Sequence, residues 1–237
     1  MNLLLLSPAD FLATATVRIS GRRHRHLVEV LRAEPGRPVR VGLLDGLLGE
    51  ARVVALTGEH ADLAVQLDTP PPPPAPVTLL LALPRPKALR RIVQGATACG
   101  VKRMVLFNTA RVDKSYWQSP FLAPEALREQ LLLGLEQAGD TRLPELLLRP
   151  RFRPFVEDEL PRLAAGSQCL AAHPGSVHPC PSAVSRPVTL AVGPEGGFIP
   201  FELDLLAACG FQPVHLGTRP LRVETAVPAL IGRLLPL

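Results

Sequence analysis

The run Pro70–Pro76, PPPPPAP, divides this chain more sharply than any other feature. Proline has no amide hydrogen and a fixed φ, so such a run breaks helices and sheet interiors and favours a stiff polyproline II spacer. The residues before it must find a core separate from that of the residues after it, and 237 residues suffice for two unequal domains. The expected division is a first domain over 1–69, a linker over 70–76 and a second domain over 77–237. With 47% hydrophobic and 20% charged residues, the composition lacks the signature of a disordered chain.

The two sides of the proline run differ in pattern. Before it, Arg37–Leu43, Gly49–Leu56 and Asp62–Leu67 carry valine and leucine at strand-like spacing, separated by Leu44-Asp45-Gly46 and Thr57-Gly58-Glu59, which suit turns. This predicts a small β-rich domain or barrel. After it, Val77–Leu83 reads as a buried strand. Leu89, Ile92, Val93 and Ala96 then come at helical spacing, with Gly100 as the cap before a strand at Arg103–Phe107. Pro124 opens a helix that reaches about Ala138 and closes at Gly139, and Pro200 opens another that closes at Gly210. Further strands are expected at Gln168–Ala172, Val188–Val192 and Pro213–Leu216. Alternation of this kind predicts an α/β domain with a mostly parallel sheet covered by helices on both faces.

Charge and cysteine content bound the partners without choosing one. The net charge is +5, and of the 26 basic residues only Lys87, Lys102 and Lys114 are lysine. Guanidinium groups suit bidentate phosphate contact, but an arginine-rich codon usage produces the same balance, so the charge only permits nucleic acid. Cys99, Cys169, Cys180 and Cys209 lie far apart, with no spacing suited to zinc, and are expected to be buried thiols. No metal is expected. The N-terminal MNLLLLSPADF has no basic leader region, and its apolar run falls well short of the ~20 residues of a membrane span, so a cytosolic protein without membrane partners is expected.

In a parallel sheet, ligands bind beyond the carboxyl ends of the strands, so segments just after strands are where chemistry is expected. Three qualify: His173-Pro174, Gly193–Phe198 (GPEGGF) and Gly217–Ala226. In GPEGGF three glycines offer bare backbone that a flat ligand can approach closely. It is not a phosphate-binding Walker loop, since no Gly-Lys-Ser/Thr comes after it, and taken alone it is equally an ordinary turn. In LGTRPLRVETA, Leu216–Ala226, the charged Arg219, Arg222 and Glu224 crowd a loop that leads into a helix. Glu224 and Thr225 also suit a helix start. A third concentration, Arg18, Arg22, Arg23, His24, Arg25, His26 and Arg32, is either a solvated helix face or a phosphate-positioning patch for RNA.

Taken together, GPEGGF and LGTRPLRVETA resemble the RsmE-type family, which methylates N3 of a uridine in small-subunit ribosomal RNA. GRRHRHLVEVLRAEPGRPVRV (21–41), KALRRIVQGATACGVKRMVLF (87–107), TARVDKSYWQS (109–119) and LEQAGDTRLPEL (135–146) are similar to further family segments, so the resemblance spans most of the chain. The chain departs from the pattern at Ala98-Cys99 and Pro220. The resemblance implies a SPOUT-type methyltransferase domain with a trefoil knot, otherwise nearly absent from proteins, preceded by a PUA-like barrel that binds RNA. It also implies a homodimer whose second subunit completes the site, with S-adenosylmethionine as the methyl donor. Carried onto this chain, it implies a donor site at His173, Gly193, Pro194, Glu195, Gly196, Gly197, Leu216, Gly217, Leu221, Thr225 and Ala226. Arg222 becomes the candidate for stabilising an anionic uracil. Glu224 is the second catalytic candidate, and Glu195 or Glu224 offers a carboxylate to the donor's sulfonium cation or serves as a structural loop or helix-start residue. Two other readings remain: a non-catalytic RNA-binding or ribosome-assembly protein of the same fold, and a methyltransferase acting on another base.

Overall fold

The computed structural model describes residues 2–235. The described chain forms two compact units, one running to Pro73 and taking in Leu135–Leu143, the other comprising Pro74–Gly134 and the chain from Pro144 onward. Residues 70–75 belong to no helix or strand.

The first unit contains β1 (Leu4–Leu6), β2 (Phe11–Ala13), β3 (Thr16–Ser20), the short helix α1 (Gly21–Arg25), β4 (Pro38–Leu43), β5 (Leu48–Leu56) and β6 (His60–Thr69). The strands form one sheet in the order β1-β4-β5-β6-β3-β2, antiparallel except for the β1–β4 pair. Period-2 alternation sets the core face: in β3, Val17 and Ile19 are buried while Arg18 and Ser20 face out. These side chains meet Leu4, Leu6, Leu27, Val41 and Leu63 in one apolar cluster. The three strands expected before the proline run are β4, β5 and β6. β1 escapes pattern reading because Leu3–Leu6 is apolar on both faces and shows no alternation.

Residues 135–143 are tied to this unit by hydrogen bonds. The Glu136 carbonyl accepts the N–H groups of Asn2 (2.9 Å) and Leu3 (3.1 Å), the Thr141 carbonyl accepts that of Asp45 (2.8 Å), and the Asp45 carboxylate accepts that of Leu143 (2.8 Å). The helical pattern over 124–138 is continuous, so nothing in the sequence marks this change of allegiance.

The second unit has the expected alternation. Its elements are β7 (Val77–Ala82), α2 (Pro86–Ala98), β8 (Arg103–Phe107), α3 (Pro124–Ala138, whose last turn belongs to the first unit), β9 (Glu145–Arg149), the short α4 (Phe152–Pro154) and α5 (Leu160–Leu163), β10 (Gln168–Ala172), β11 (Val188–Val192), α6 (Pro200–Ala208), β12 (Gln212–Val214) and α7 (Val223–Leu234). The sheet order is β12-β10-β11-β7-β8-β9, and all five pairings are parallel. All five residues of β11 are buried, as expected of a strand covered on both faces. Gly100, Gly139 and Gly210 sit at positive φ just beyond α2, α3 and α6, where a side chain would strain the left-handed turn. The strand expected over 213–216 is only Gln212–Val214, because His215 turns away into an isolated bridge with Pro179. Since every strand points the same way, their carboxyl ends share one edge, and the three loops singled out in the sequence lie there.

Candidate functional site

GPEGGF leaves β11 and is held from several sides. Phe198 is buried, with its ring centroid 6.4 Å from that of Phe107, which also meets Phe155 at 5.5 Å. Glu202, in the first turn of α6 and 2% exposed, accepts the Ile199 N–H (3.0 Å) and the Ala110 N–H (2.6 Å). The Arg111 guanidinium donates to the Gly196 carbonyl, and the Glu195 carboxylate accepts the Arg85 N–H at 3.1 Å. The segments after β7 and β8 therefore clamp the loop after β11. A Cβ on Gly193 would lie 3.2 Å from Gly197 and Phe198 backbone atoms, so the turn closes on itself there.

The second wall comes after β12. The His215 Nδ1 accepts the Gly217 N–H (2.9 Å), fixing a bend in which Gly217 takes φ 121°, a value that L side chains rarely adopt. Arg222 is the N-cap of α7, and its carbonyl accepts the N–H groups of Thr225 (2.9 Å) and Ala226 (2.8 Å). His173 supplies the third wall beside β10. Its backbone N–H donates to the Val214 carbonyl at 2.9 Å, and its Nδ1 is buried without a hydrogen-bond partner among the described residues.

These walls enclose a cavity of about 350 Å³. Of the residues named from the sequence, His173, Gly193, Pro194, Glu195, Gly197, Leu216, Gly217, Leu221, Arg222 and Ala226 line it. Gly196, Glu224 and Thr225 are adjacent in the chain but outside the lining. Gly196 is turned towards Arg111, and Glu224 occupies the first turn of α7, where its charge meets the helix N-terminus favourably. Val192, Val214, Val223 and Leu230 supply apolar floor, while the loops supply main-chain polar groups. This mixture and size suit a small organic ligand of mixed polarity. Arg219 and Arg222 are exposed side chains on the same lining.

The arginine-rich segment of the first unit is largely engaged in ion pairs. Arg18 pairs with Asp62 through two hydrogen bonds of 2.8 Å, Arg22 with buried Glu136 at 2.7 and 2.9 Å, and Arg23 with Asp10 through two of 2.7 Å. His24 is buried, its Nε2 3.0 Å from the Thr57 carbonyl. His26 is half-buried in a π-helical turn, whereas Arg25 and Arg32 are exposed, Arg32 at φ 47°. The expectation of four buried thiols is corrected: Cys180 is buried, but Cys99, Cys169 and Cys209 are only half-buried, at element ends beside short turns. Burial pushes the Cys99 and Cys180 thiols above their ordinary value. Among the described residues no group of three or more His, Cys, Asp or Glu is arranged to hold a metal ion, and no helix is long and apolar enough to cross a membrane.

Sequence reading missed the clamps. Arg85, Arg111, Phe198 and Glu202 carry no ligand motif, and only the Pro200-Phe201-Glu202 start of α6 hints that Glu202 reaches back to its helix N-terminus. Glu202→Ala is expected to destabilise the protein by about 2–4 kcal/mol, because two part-buried N–H groups lose the buried charged acceptor they share. Calorimetric melting should read this as a fall of roughly 5–15 °C. An unchanged melting temperature would mean that the two donors find other partners.

The RNA methyltransferase domain family model matches residues 71–235. Along its length the chain is 28% identical to ribosomal RNA small subunit methyltransferase E of Treponema pallidum, covering 97% of this chain and 88% of that protein. It is 29% identical to the protein of the same name from Synechocystis, over 98% of this chain and 76% of that one. Two solved structures share the fold. One is a putative methyltransferase from Legionella pneumophila in complex with S-adenosylmethionine (TM-score 0.72, 24% identity, 97% of this chain and 96% of that one). The other is a ribosomal RNA small subunit methyltransferase E from Neisseria gonorrhoeae bound to the same molecule (TM-score 0.71, 23% identity, 96% and 94%).

Proposed function

Because this chain belongs to the RNA methyltransferase family, we propose that it transfers the methyl group of S-adenosylmethionine to N3 of a uridine in 16S ribosomal RNA of the small subunit. The observation that carries this reading is the cavity at the carboxyl edge of the parallel sheet, with walls from both signature loops and Arg222 on its lining. The Treponema and Synechocystis relatives support the substrate class.

The residues present fit the donor. Its adenine calls for a flat slot between apolar side chains and bare backbone, available between Gly193–Gly197 and Leu216–Leu221, with Ala226 and Leu230 behind. Its polar parts call for main-chain groups and a buried polar atom, for which His173 Nδ1 has unused hydrogen-bonding capacity. On this reading His173, Gly193, Pro194, Glu195, Gly197, Leu216, Gly217, Leu221 and Ala226 hold the donor, and Gly196 and Thr225, outside the lining, support the loop and the helix start behind it. When bound, S-adenosylmethionine supplies a methyl group on a sulfonium, an electrophile whose loss leaves a neutral thioether.

The chain's own task is to present the other reactant. Methylation replaces the N3–H bond of uracil by an N3–C bond, so the proton leaves to solvent water at the open cavity and negative charge develops on the base until the methyl group is taken up. A guanidinium held beside the uracil oxygens stabilises that charge, and this is the role of Arg222. Glu195, on the cavity lining, is the carboxylate placed to counter the sulfonium, while Glu224 lies outside the lining in the first turn of α7. The loops contribute by holding nucleophile and methyl in line.

The remaining parts of the reading are architectural. The loop after β12 and α7 form the trefoil knot of a SPOUT-class domain. The first unit, bounded by the proline run, is a PUA-like RNA-binding module in which exposed Arg25 and Arg32, flanked by half-buried His26, position phosphates. Arg18, Arg22 and Arg23 are held by carboxylates and His24 is buried, so that these four of the expected residues serve the fold of the module. The enzyme acts in the cytoplasm as a homodimer. Mass spectrometry of 16S ribosomal RNA from cells with and without the gene tests the activity. One N3-methyluridine should vanish when the gene is removed, and an unchanged modification profile would reject the reading.

A further inference from the structure

We propose that the second unit carries its own phosphate-binding ledge, formed by Arg85, Lys87, Arg111, Lys114 and Arg219 along the carboxyl edge of its sheet, and that it grips the RNA backbone on either side of the target nucleotide. This rests on the RNA-modifying reading and says which residues deliver the RNA.

The five cations come from three separate strand ends. Arg85 and Lys87 come after β7, Arg111 and Lys114 after β8, and Arg219 after β12. All five are exposed, and their segments converge on one place. The Arg85 N–H meets Glu195, Arg111 meets Gly196, and Arg219 lines the same cavity as Glu195 and Gly197. A row of positive charge borders the donor cavity, where a base entering the site must bring its flanking phosphates.

The ledge side chains differ from the arginines that the chain ties up in ion pairs. Arg18, Arg22, Arg23, Arg103, Arg149 and Arg153 each hold a carboxylate. None of the five ledge side chains is paired with a carboxylate among the described residues, Arg85 meeting Glu195 only through its backbone N–H. Four carboxylates lie near this edge, and none of them pairs with a ledge side chain: Glu202 is buried and accepts the Ala110 and Ile199 N–H groups. Glu195 accepts the Arg85 N–H, and Glu224 lies in the first turn of α7. Asp113 accepts the Ser115 N–H and hydroxyl, the contacts that hold its carboxyl below the usual range. Exposed cations without a paired acid cost self-repulsion, and an anion spanning them relieves it. α2 begins at Pro86 between Arg85 and Lys87, adding the positive end of a 13-residue helix dipole to the same spot.

The occupant is a polyanion rather than a single phosphate group, because the cations are spread along an open edge instead of converging on one cradle. A protein that neutralises RNA phosphates loses affinity with salt, with a log–log slope set by the number of contacts. The test compares Arg85→Gln/Lys87→Gln/Lys114→Gln, all outside the cavity lining, with a control, Arg128→Gln/Arg162→Gln/Arg186→Gln, which removes the same charge from exposed positions elsewhere in the unit. The probe is a fluorescein-labelled RNA hairpin titrated at several salt concentrations, with S-adenosylmethionine binding followed by calorimetry in parallel.

The ledge variant is expected to lower the salt slope by about 2 and the low-salt affinity about tenfold or more. Donor binding should stay unchanged, and the control should keep the wild-type slope. A ledge variant with the wild-type slope, or a control that falls equally, would overturn the ledge and leave the methyltransferase reading standing. Wild-type protein that binds donor but no RNA at any salt concentration would overturn both.

Discussion

Replacing Arg222 by alanine is expected to lower methyl transfer by about 10²–10³-fold, the usual cost of removing one group that stabilises developing negative charge. S-adenosylmethionine binding should stay within a few-fold of wild type. The two effects separate because Arg222 has two roles in the structure. Its backbone carbonyl caps α7 by accepting from Thr225 and Ala226, and alanine preserves that contact. Its exposed guanidinium makes no side-chain cap bond to the helix, so removal should leave the fold intact. The loss should appear in kcat rather than KM, because the charge exists only as the N3 proton departs. Single-turnover transfer to ribosomal RNA, with calorimetry for the donor, measures both. Near-normal turnover, or a loss of donor affinity that accounts for the whole effect, would reject the assigned role. Arg222→Lys should recover part of the rate, since the charge returns without the planar fork.

Gly193→Val should weaken donor binding by about 10- to 100-fold. Gly193 is buried at the end of β11, where an added Cβ lies 3.2 Å from three backbone atoms of Gly197 and Phe198. The neighbours are main chain, so no side chain can swing aside, and overpacking of this kind costs about 1–3 kcal/mol. Part of that strain is relieved by moving Gly193–Gly197, which is itself a cavity wall. Phe198, held in the aromatic cluster around Phe107, keeps the far end of the loop from moving with it. Calorimetry with S-adenosylmethionine and a thermal melt distinguish the outcomes. Wild-type affinity would mean that this wall does not touch the donor, and a collapsed melt would mean that the residue serves only the fold. Gly193→Ala should be intermediate in both measurements.

Much of the second unit could be read directly from residues. β8, β10 and β11 have the bounds expected of them, because continuous apolar runs bounded by proline, glycine or polar turns leave little choice. α3 and α6 begin at Pro124 and Pro200, where proline's missing N–H costs nothing, and glycines close them. β9 went unread, since Glu145–Arg149 comes after a proline and ends in a charge, as exposed loops do. In the first unit, β1–β3 are three to five residues long, too short for two-residue alternation to stand out.

The local chemistry of the loops after β10, β11 and β12 was set by the sequence: glycines where backbone must be bare, Arg222 ahead of a helix, and proline where the chain must part. Periodicity and turn chemistry act over a few residues, and any copy of this chain carries them. Only the tertiary structure decided what meets what. It put Arg111 on Gly196, Glu202 under Ala110, Arg22 on Glu136 and residues 135–143 with the first unit, although these partners lie far apart in the chain. Such pairings arise from the order of strands in the sheet and from the burial that makes an unpaired carboxylate or N–H costly. Neither strand order nor burial is a property of any short stretch of residues.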